Sequence, residues 1–168
     1  MGAGKSTIGK KLAERMNYRF VDIDSYIEDK EQMSIRAIFH EKGESFFRQM
    51  EHDVLLEISE IKENMVVSTG GGAPCYMKNM EMLNSSGVTI YLKLEPSGIY
   101  KRLSKVREKS RPLIENKTSG ELMQFIIDKL TEREPVYNKS HLIVPVENQK
   151  IHDLHKIIVS FISHKKPS

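Results

Sequence analysis

The sequence predicts an α/β fold in which a parallel sheet carries helices on both faces. Short apolar runs alternate with longer segments of helical periodicity, the pattern of strands joined by crossover helices. A phosphate-binding motif opens the chain and leads directly into a helical pattern. The 168 residues have the length of one domain, so we expect residues 1–168 to form a single unit.

The first element is a helix that follows a glycine-rich loop. Residues 2–7 read Gly-Ala-Gly-Lys-Ser-Thr, the second half of a P-loop. The earlier glycine and the strand that feeds the loop would lie upstream of Met1, so we expect the protein to begin before this residue. Apolar residues then recur every four positions, which predicts a helix over Lys5–Met16 with one buried face. The alternative is a chance match at a capped surface helix.

The loop and the first helical turn have the chemistry of a triphosphate site. Free N–H groups at a helix N-terminus and the helix dipole both favour an anion, and glycines let the backbone approach it closely. In this motif Lys5 would reach the β- and γ-phosphates, and the hydroxyl of Ser6 would bind Mg²⁺.

Further strands and helices alternate along the chain. The expected strands are Tyr18–Asp22, Met65–Ser68, Val88–Leu94 and Leu142–Val146. The expected helices are Ile35–Glu41, Glu44–Ile61, Lys78–Leu83, Ser97–Ser104, Glu121–Tyr137 and Ile151–Ile162, the first of them capped by Ser34. The segment Lys105–Gly120 is highly charged, and a polar stretch of this length between helices is typical of a lid over a site or of disordered chain.

Residues directly after the strands are candidates for chemistry, because ligands of such sheets bind beyond the carboxyl ends of the strands. Asp22 and Asp24 lie two residues apart, so their side chains would point the same way on an extended segment. One could then hold Mg²⁺ through water, and the other could face the acceptor. Gly70, Gly71 and Gly72 would bring backbone N–H groups close to a ligand. The alternatives are two aspartates that act as helix caps and a flexible glycine turn.

Three arginines are candidate anion ligands: Arg48, Arg111 and Arg133. Arginine binds carboxylate or phosphate bidentately, although any one of them taken singly is as well explained by a surface ion pair. The histidines show no metal-ligand spacing, and we expect His52 at the surface. Cys75 has no neighbouring base, so we expect no nucleophilic role for its thiol.

Composition excludes several classes of protein. Hydrophobic residues make up 39% and charged residues 29% of the chain, an ordinary balance for a soluble globular protein. The net charge of +3 is small for a nucleic-acid-binding protein, and no apolar run approaches the roughly 20 residues that span a bilayer. The single cysteine rules out an internal disulfide. We therefore expect a cytoplasmic protein without a nucleic-acid or membrane partner.

In their order and spacing, the motifs resemble those of the shikimate kinase family over nearly the whole chain. They are Gly-Ala-Gly-Lys-Ser-Thr-x-Gly (2–9), Phe-x-Asp-x-Asp (20–24), Ser-Ile-x-x-Ile-Phe (34–39), Gly-Glu-x-x-Phe-Arg-x-x-Glu (43–51), Ser-x-Gly-Gly-Gly (68–72), Arg-Pro-Leu (111–113) and Arg-x-Pro-x-Tyr (133–137). The first motif alone fits many nucleotide-binding proteins, whereas the later ones are much more specific.

The resemblance implies a role for each matching residue. ATP would be bound by Gly2, Ala3, Gly4, Lys5, Ser6, Thr7, Arg102 and Arg111, with Mg²⁺ at Ser6 and Asp22. Shikimate would be bound, mainly through the segment of about 24–51, by Asp24, Phe39, Phe47, Arg48, Gly70, Gly71, Gly72 and Arg133. Lys5, Asp24 and Arg111 would be catalytic, with Asp24 taking the proton of the attacking hydroxyl. Arg111 would reach the transferring phosphoryl group from a lid over about 105–120.

The resemblance also implies a finer architecture and a reaction. The fold would be a P-loop three-layer sandwich with a five-stranded parallel sheet and a mobile lid, in a monomeric enzyme. The reaction would convert ATP and shikimate to ADP and shikimate 3-phosphate on the route to chorismate and the aromatic amino acids. Two alternatives stay open at this point: a gluconate kinase-like enzyme, and a nucleotide-binding regulatory module without turnover.

Overall fold

The computed structural model describes residues 2–105, 118–147 and 151–165. Within them the helices are α1 (Lys5–Met16), α2 (Ile23–Glu31), α3 (Ile35–Glu41), α4 (Gly43–Ser59), α5 (Asn79–Ser86), α6 (Pro96–Lys105), α7 (Ser119–Tyr137) and α8 (Ile151–Lys165). The strands are β1 (Arg19–Asp22), β2 (Met65–Ser68), β3 (Ile90–Lys93) and β4 (Leu142–Pro145), and a short 3₁₀ turn spans Ala73–Cys75. Each predicted strand and helix is confirmed, with bounds that are unchanged or differ by a few residues.

The strands pair in parallel, as the alternation of elements predicts. β1 pairs with β2, with Phe20 opposite Val66, and β3 pairs with β4, with Tyr91 opposite Ile143. Among the described residues these are two separate two-stranded sheets, so the five-stranded sheet is not confirmed. β4 ends at Pro145, and the N–H of the next residue, Val146, still donates to the carbonyl oxygen of Lys93 at 2.9 Å.

One helix was missed by the sequence prediction, and this changes the placement of a candidate residue. Asp24 does not lie on an extended segment, because β1 stops at Asp22 and α2 begins at the next residue. The Asp22 carboxylate caps this helix by accepting from the N–H of Asp24 at 3.2 Å. Ile23 and Ile27, one turn apart, are fully buried, which fixes the inner face of the helix.

Two apolar clusters support the two sheets. The first packs β1 against α2, α3 and α4 through residues such as Ile23, Ile38 and Leu55. The second packs β4 against α6, α7 and α8 through residues such as Leu103 and Leu122. Across the described ranges, no helix combines the length and the apolar character that a membrane crossing requires.

Candidate active site

The phosphate loop has the backbone geometry that its glycines predict. Gly4 is the N-cap of α1 with a φ of +83°, a conformation that side chains with a Cβ rarely adopt. No described side chain caps this helix end, and its first turn carries no acidic residue. Lys5 is half-buried there, whereas Ser6 and Thr7 are exposed. The helix therefore presents free amides and a positive side chain to an anion.

The predicted metal ligands are in direct contact. The Ser6 hydroxyl donates to Oδ2 of Asp22 at 2.6 Å, and the hydroxyl of Ser68 lies 3.5 Å from that of Ser6. The start of α1 and the carboxyl ends of β1 and β2 thus meet at one point. Hydroxyl and carboxylate oxygens are the donors that Mg²⁺ prefers, so the side chains present fit this ion.

Arg102 lies on the phosphate loop from α6. Its Nη1 donates to the carbonyl oxygen of Ala3 at 2.8 Å and approaches that of Gly2 at 3.5 Å. The contact ties α6 to the loop and fixes the peptide groups that precede α1.

A second charged cluster is buried around Arg48, which is 6% exposed. Its Nε and Nη2 donate to Oε1 of Glu44 at 3.1 and 2.8 Å, and its Nη1 donates to Oε2 of Glu51 at 2.5 Å. The guanidinium carbon lies 5.3 Å from the ring centre of Phe47 and 4.6 Å from that of Tyr76. Carboxylates and aromatic rings therefore hold this cation in one orientation.

The charges of this cluster shift the pKa of both partners of the buried ion pair. Burial lowers the pKa of Arg48, but the charges and hydrogen bonds of Glu51 and Glu44 outweigh burial and leave that pKa raised. Burial raises the pKa of Glu51 more than the Arg48 guanidinium lowers it, and the nearby Asp24 carboxylate raises it further. Glu51 is 1% exposed, so removing its charged carboxylate from water has a large unfavourable free energy.

The three glycines after β2 lie against this cluster. A Cβ at Gly72 would be 2.5 Å from Nη1 of Arg48, so only glycine lets the backbone approach the guanidinium. A Cβ at Gly70 would collide with the Glu51 carboxylate and lie 3.3 Å from Oδ1 of Asp24. The carbonyl oxygen of Gly71 accepts a hydrogen bond from the hydroxyl of Tyr137.

Arg133 reaches the same cluster from α7. It is 8% exposed, and its buried Nε has no hydrogen-bond partner among the described residues. Its charge acts on Glu51, together with the charges of Asp24 and Arg48. Burial raises the pKa of Tyr137 to about 12, and the nearby Arg133 opposes this shift. Two arginines and two carboxylates, carried by α2, α4 and α7, therefore lie near one another beside the glycine turn.

The remaining candidates differ in their surroundings. The rings of Phe39 and Phe47 pack with centroids 4.7 Å apart and form an apolar wall next to Arg48. Burial raises the pKa of the Cys75 thiol, which fits the expectation that it is not a nucleophile. Arg111 and most of the predicted lid lie outside the described residues.

The chain matches a known family over almost all of its length. Residues 1–163 match the family model described as shikimate kinase. The chain belongs to the shikimate kinase family. A shikimate kinase of Bacteroides thetaiotaomicron is 43% identical over 143 residues, which cover 85% of this chain and 81% of the relative.

Solved structures agree with membership of the shikimate kinase family. A shikimate kinase from Acinetobacter baumannii in complex with shikimate has a TM-score of 0.88 at 34% identity, and the match covers 100% of this chain and 91% of that one. A gluconokinase from Sinorhizobium meliloti has a TM-score of 0.56 at 15% identity, covering 98% and 87%, and so shares the fold alone. The predicted P-loop α/β fold is confirmed.

Membership of the shikimate kinase family confirms the predicted activity. This is an enzyme that phosphorylates shikimate with ATP, in the biosynthesis of aromatic amino acids. The alternatives of a gluconate kinase-like enzyme and of a regulatory module without turnover are not supported.

Several residues of this shikimate kinase site were not assigned from the sequence. Glu51 stands three residues after Arg48 on one helix, a spacing that indicates an ion pair, but the motif alone gave it no role. Tyr76 carried no signal, because its contact with Arg48 joins two distant elements. His52 was expected at the surface, which is wrong: it is half-buried, and its Nδ1 lies 2.6 Å from Oδ1 of the buried Asn79.

Proposed function

We propose that the two clusters are the two halves of one phosphoryl-transfer site. The observation that carries this proposal is the meeting of Arg48, Arg133, Glu51 and Asp24 beside the glycine turn. The Asp22 carboxylate connects this region to the phosphate loop, since it bonds both to Ser6 and to the N–H of Asp24. One side would take the triphosphate of ATP and the other the acceptor.

On the nucleotide side, backbone amides and positive charges would bind the phosphates. The amides of the loop Gly2–Gly4 and of the first turn of α1, including that of Thr7, surround the phosphates, and Lys5 neutralises the β- and γ-oxygens. Ser6 and Asp22 would hold Mg²⁺, which would supply further positive charge to the β- and γ-phosphate oxygens. Arg102 holds the loop carbonyls and keeps the amides directed at the phosphates.

On the acceptor side, shikimate brings a carboxylate and hydroxyl groups. Burying a carboxylate without a partner costs several kcal/mol at least, so the site requires cations, and Arg48 and Arg133 supply them. Asp24 orients the attacking hydroxyl and accepts its proton, a contribution of roughly 10²–10⁴-fold. The backbone of Gly70–Gly72 and the wall of Phe39 and Phe47 define the position of the ring.

The finer architecture belongs to the same proposal. We expect one domain over 1–168 with a five-stranded sheet, and a lid over about 105–120 that closes during turnover and brings Arg111 to the transferring group. Closure would exclude water and limit ATP hydrolysis. We also expect a monomer in the cytoplasm.

Two substitutions test the acceptor half. We expect Asp24→Asn and Arg133→Ala each to lower kcat/KM for shikimate by about 100-fold, the scale of a lost charged contact in a buried site. Steady-state kinetics with ATP and Mg²⁺, with and without shikimate, measure this. Arg19→Ala is the matched control, because its ion pair with Glu63 is exposed. Near-wild-type values for both variants, or ATP turnover that does not respond to shikimate, would contradict the proposal.

A further inference from the structure

The guanidinium of Arg48, the proposed ligand of the acceptor, lies close to two aromatic rings. The ring centre of Phe47 is 5.3 Å from the guanidinium carbon, and that of Tyr76 is closer, at 4.6 Å. Phe47 precedes Arg48 on α4, so its contact is local. Tyr76 comes from the segment after the glycine turn and is brought to Arg48 only by the tertiary fold.

The hydrogen bonds of Arg48 leave some of its N–H donors available. A guanidinium has five N–H groups, and the contacts with Glu44 and Glu51 use three of them, as far as the described residues go. One N–H remains on each terminal nitrogen, and a carboxylate that accepted from both would be bound bidentately. The orientation of the guanidinium plane therefore determines whether both remaining N–H groups can donate to the same carboxylate.

The segment that carries Tyr76 is held in an unusual backbone conformation. The two residues that follow it, Met77 and Lys78, have φ values of +48° and +58°. Left-handed backbone is unfavourable for a residue with a Cβ, so two such residues in succession require support from the fold. The N–H of Asn79 closes this turn by donating to the carbonyl oxygen of Tyr76 at 2.8 Å.

That support comes from a buried polar network. The side chain of Asn79 is fully buried and donates through Nδ2 to the carbonyl oxygen of Ala73 at 2.8 Å. Its Oδ1 lies 2.6 Å from Nδ1 of His52, which is on α4 next to Glu51. The turn after the glycines is thus fixed to the same helix that carries Arg48, and the Tyr76 ring is fixed over the guanidinium.

We propose that Tyr76 is a positioning residue for the acceptor, whose ring fixes the plane of Arg48 so that both of its remaining N–H groups meet the carboxylate of shikimate. The ring acts through its π face, since the one contact of its hydroxyl within the described ranges is a long one, 3.4 Å from Glu44. This inference rests on the proposed role of Arg48 as a carboxylate ligand.

Steady-state kinetics of Tyr76→Leu and Tyr76→Phe test the proposal. Tyr76→Leu should raise the KM for shikimate about fivefold to tenfold, with kcat and the KM for ATP within about twofold of wild type. Tyr76→Phe keeps the ring and should restore the KM for shikimate to within about twofold. Phe46→Leu is the matched control, because Phe46 lies over a different cation, Lys42, on the exposed side of α4.

The methyl ester of shikimate separates positioning from a structural effect. The ester lacks the charge that Arg48 binds, so Tyr76→Leu and wild type should use it with similar kcat/KM. A Tyr76→Leu variant that loses activity equally with both acceptors, or a Tyr76→Phe variant as impaired as Tyr76→Leu, would overturn the proposal. So would an unchanged KM for shikimate in Tyr76→Leu.

Arg48→Lys distinguishes the failure of this inference from that of the proposed function. If Arg48→Lys has a normal KM for shikimate, the role proposed for Arg48 is wrong. If Arg48→Lys raises that KM and Tyr76→Leu does not, only the inference about Tyr76 is wrong. In the Arg48→Lys background, Tyr76→Leu should not change the KM for shikimate further, because the planar guanidinium is already absent.

Discussion

The two halves of the proposed site are built in opposite ways. The phosphate loop is six consecutive residues that present backbone amides, with Ser6 and Thr7 exposed. The acceptor cluster draws Asp24, Arg48, the glycine turn and Arg133 from four separate segments, and Arg48 and Arg133 are less than 10% exposed. One half depends on local backbone conformation, and the other on the packing of distant elements.

This difference determines how each half tolerates change. Backbone amides at a helix end are present whatever the neighbouring side chains are, so the loop depends on few residues. Buried charges are stable only while every partner is in place, because an unpaired buried charge is strongly unfavourable. The acceptor half should therefore respond to small displacements of the backbone, and the nucleotide half mainly to loss of a ligand group.

The largest effect is expected for a substitution in the acceptor half, at Gly72, where the backbone lies against the guanidinium of Arg48. In Gly72→Ala, the new methyl group would lie 2.5 Å from Nη1 of Arg48 and must displace the guanidinium. We expect kcat/KM for shikimate to fall by about 100-fold or more, while the KM for ATP stays within about twofold, as misplacement by 1 Å costs this much in a positioned site.

Gly87→Ala is the matched control for that experiment. Gly87 has extended backbone, and a Cβ there would have no neighbour within 4 Å among the described residues. A Gly72→Ala enzyme with normal shikimate kinetics would show that Arg48 has room to move, and the contrast between the two halves would not hold.

A smaller effect is expected from the nucleotide half. Ser6→Ala removes the hydroxyl that bonds to Asp22 at 2.6 Å but leaves the amides of the loop in place. We expect kcat/KM for ATP to fall roughly tenfold, with a higher Mg²⁺ concentration needed for half-maximal rate and an unchanged KM for shikimate. Ser59→Ala, on the far end of α4, is the control. A shift in the KM for shikimate instead would contradict the separation of the halves.

The smallest effect concerns the pH dependence of stability. Burial raises the pKa of Glu51 above its ordinary 4.5, so the folded protein binds this proton more tightly than the unfolded chain does. The free energy of unfolding should therefore fall, relative to Glu51→Gln, as pH rises from about 4.5 through the folded-state pKa. Urea unfolding of both proteins from pH 4.5 to 7.5 measures the difference. A relative gain by wild type would mean that the ion pair with Arg48 outweighs burial.

The contrast between the halves also explains what the sequence could predict. The motif at residues 2–7 and the helix behind it are local, so spacing alone predicted α1 with its observed bounds. Residue type alone made Arg48 and Arg133 candidate anion ligands, but only the resemblance to a family assigned them to one site, because no local pattern shows that charges on α4 and α7 lie near each other. Tyr76 was not assigned, since its contact with Arg48 is defined by packing. Glu51 was not assigned because its local spacing from Arg48 does not show that the ion pair is buried. The helix α2 was missed because its short apolar pattern follows a strand without a break.

The carboxylate of Asp22 fastens two helix starts to each other. Its Oδ2 accepts from the hydroxyl of Ser6 in the first turn of α1, and its Oδ1 accepts from the N–H of Asp24 in the first turn of α2. A displacement of one helix start would therefore strain the bond to the other. We expect a longer side chain at position 22 to be unable to keep both bonds at these lengths, so that the two helix starts would move independently.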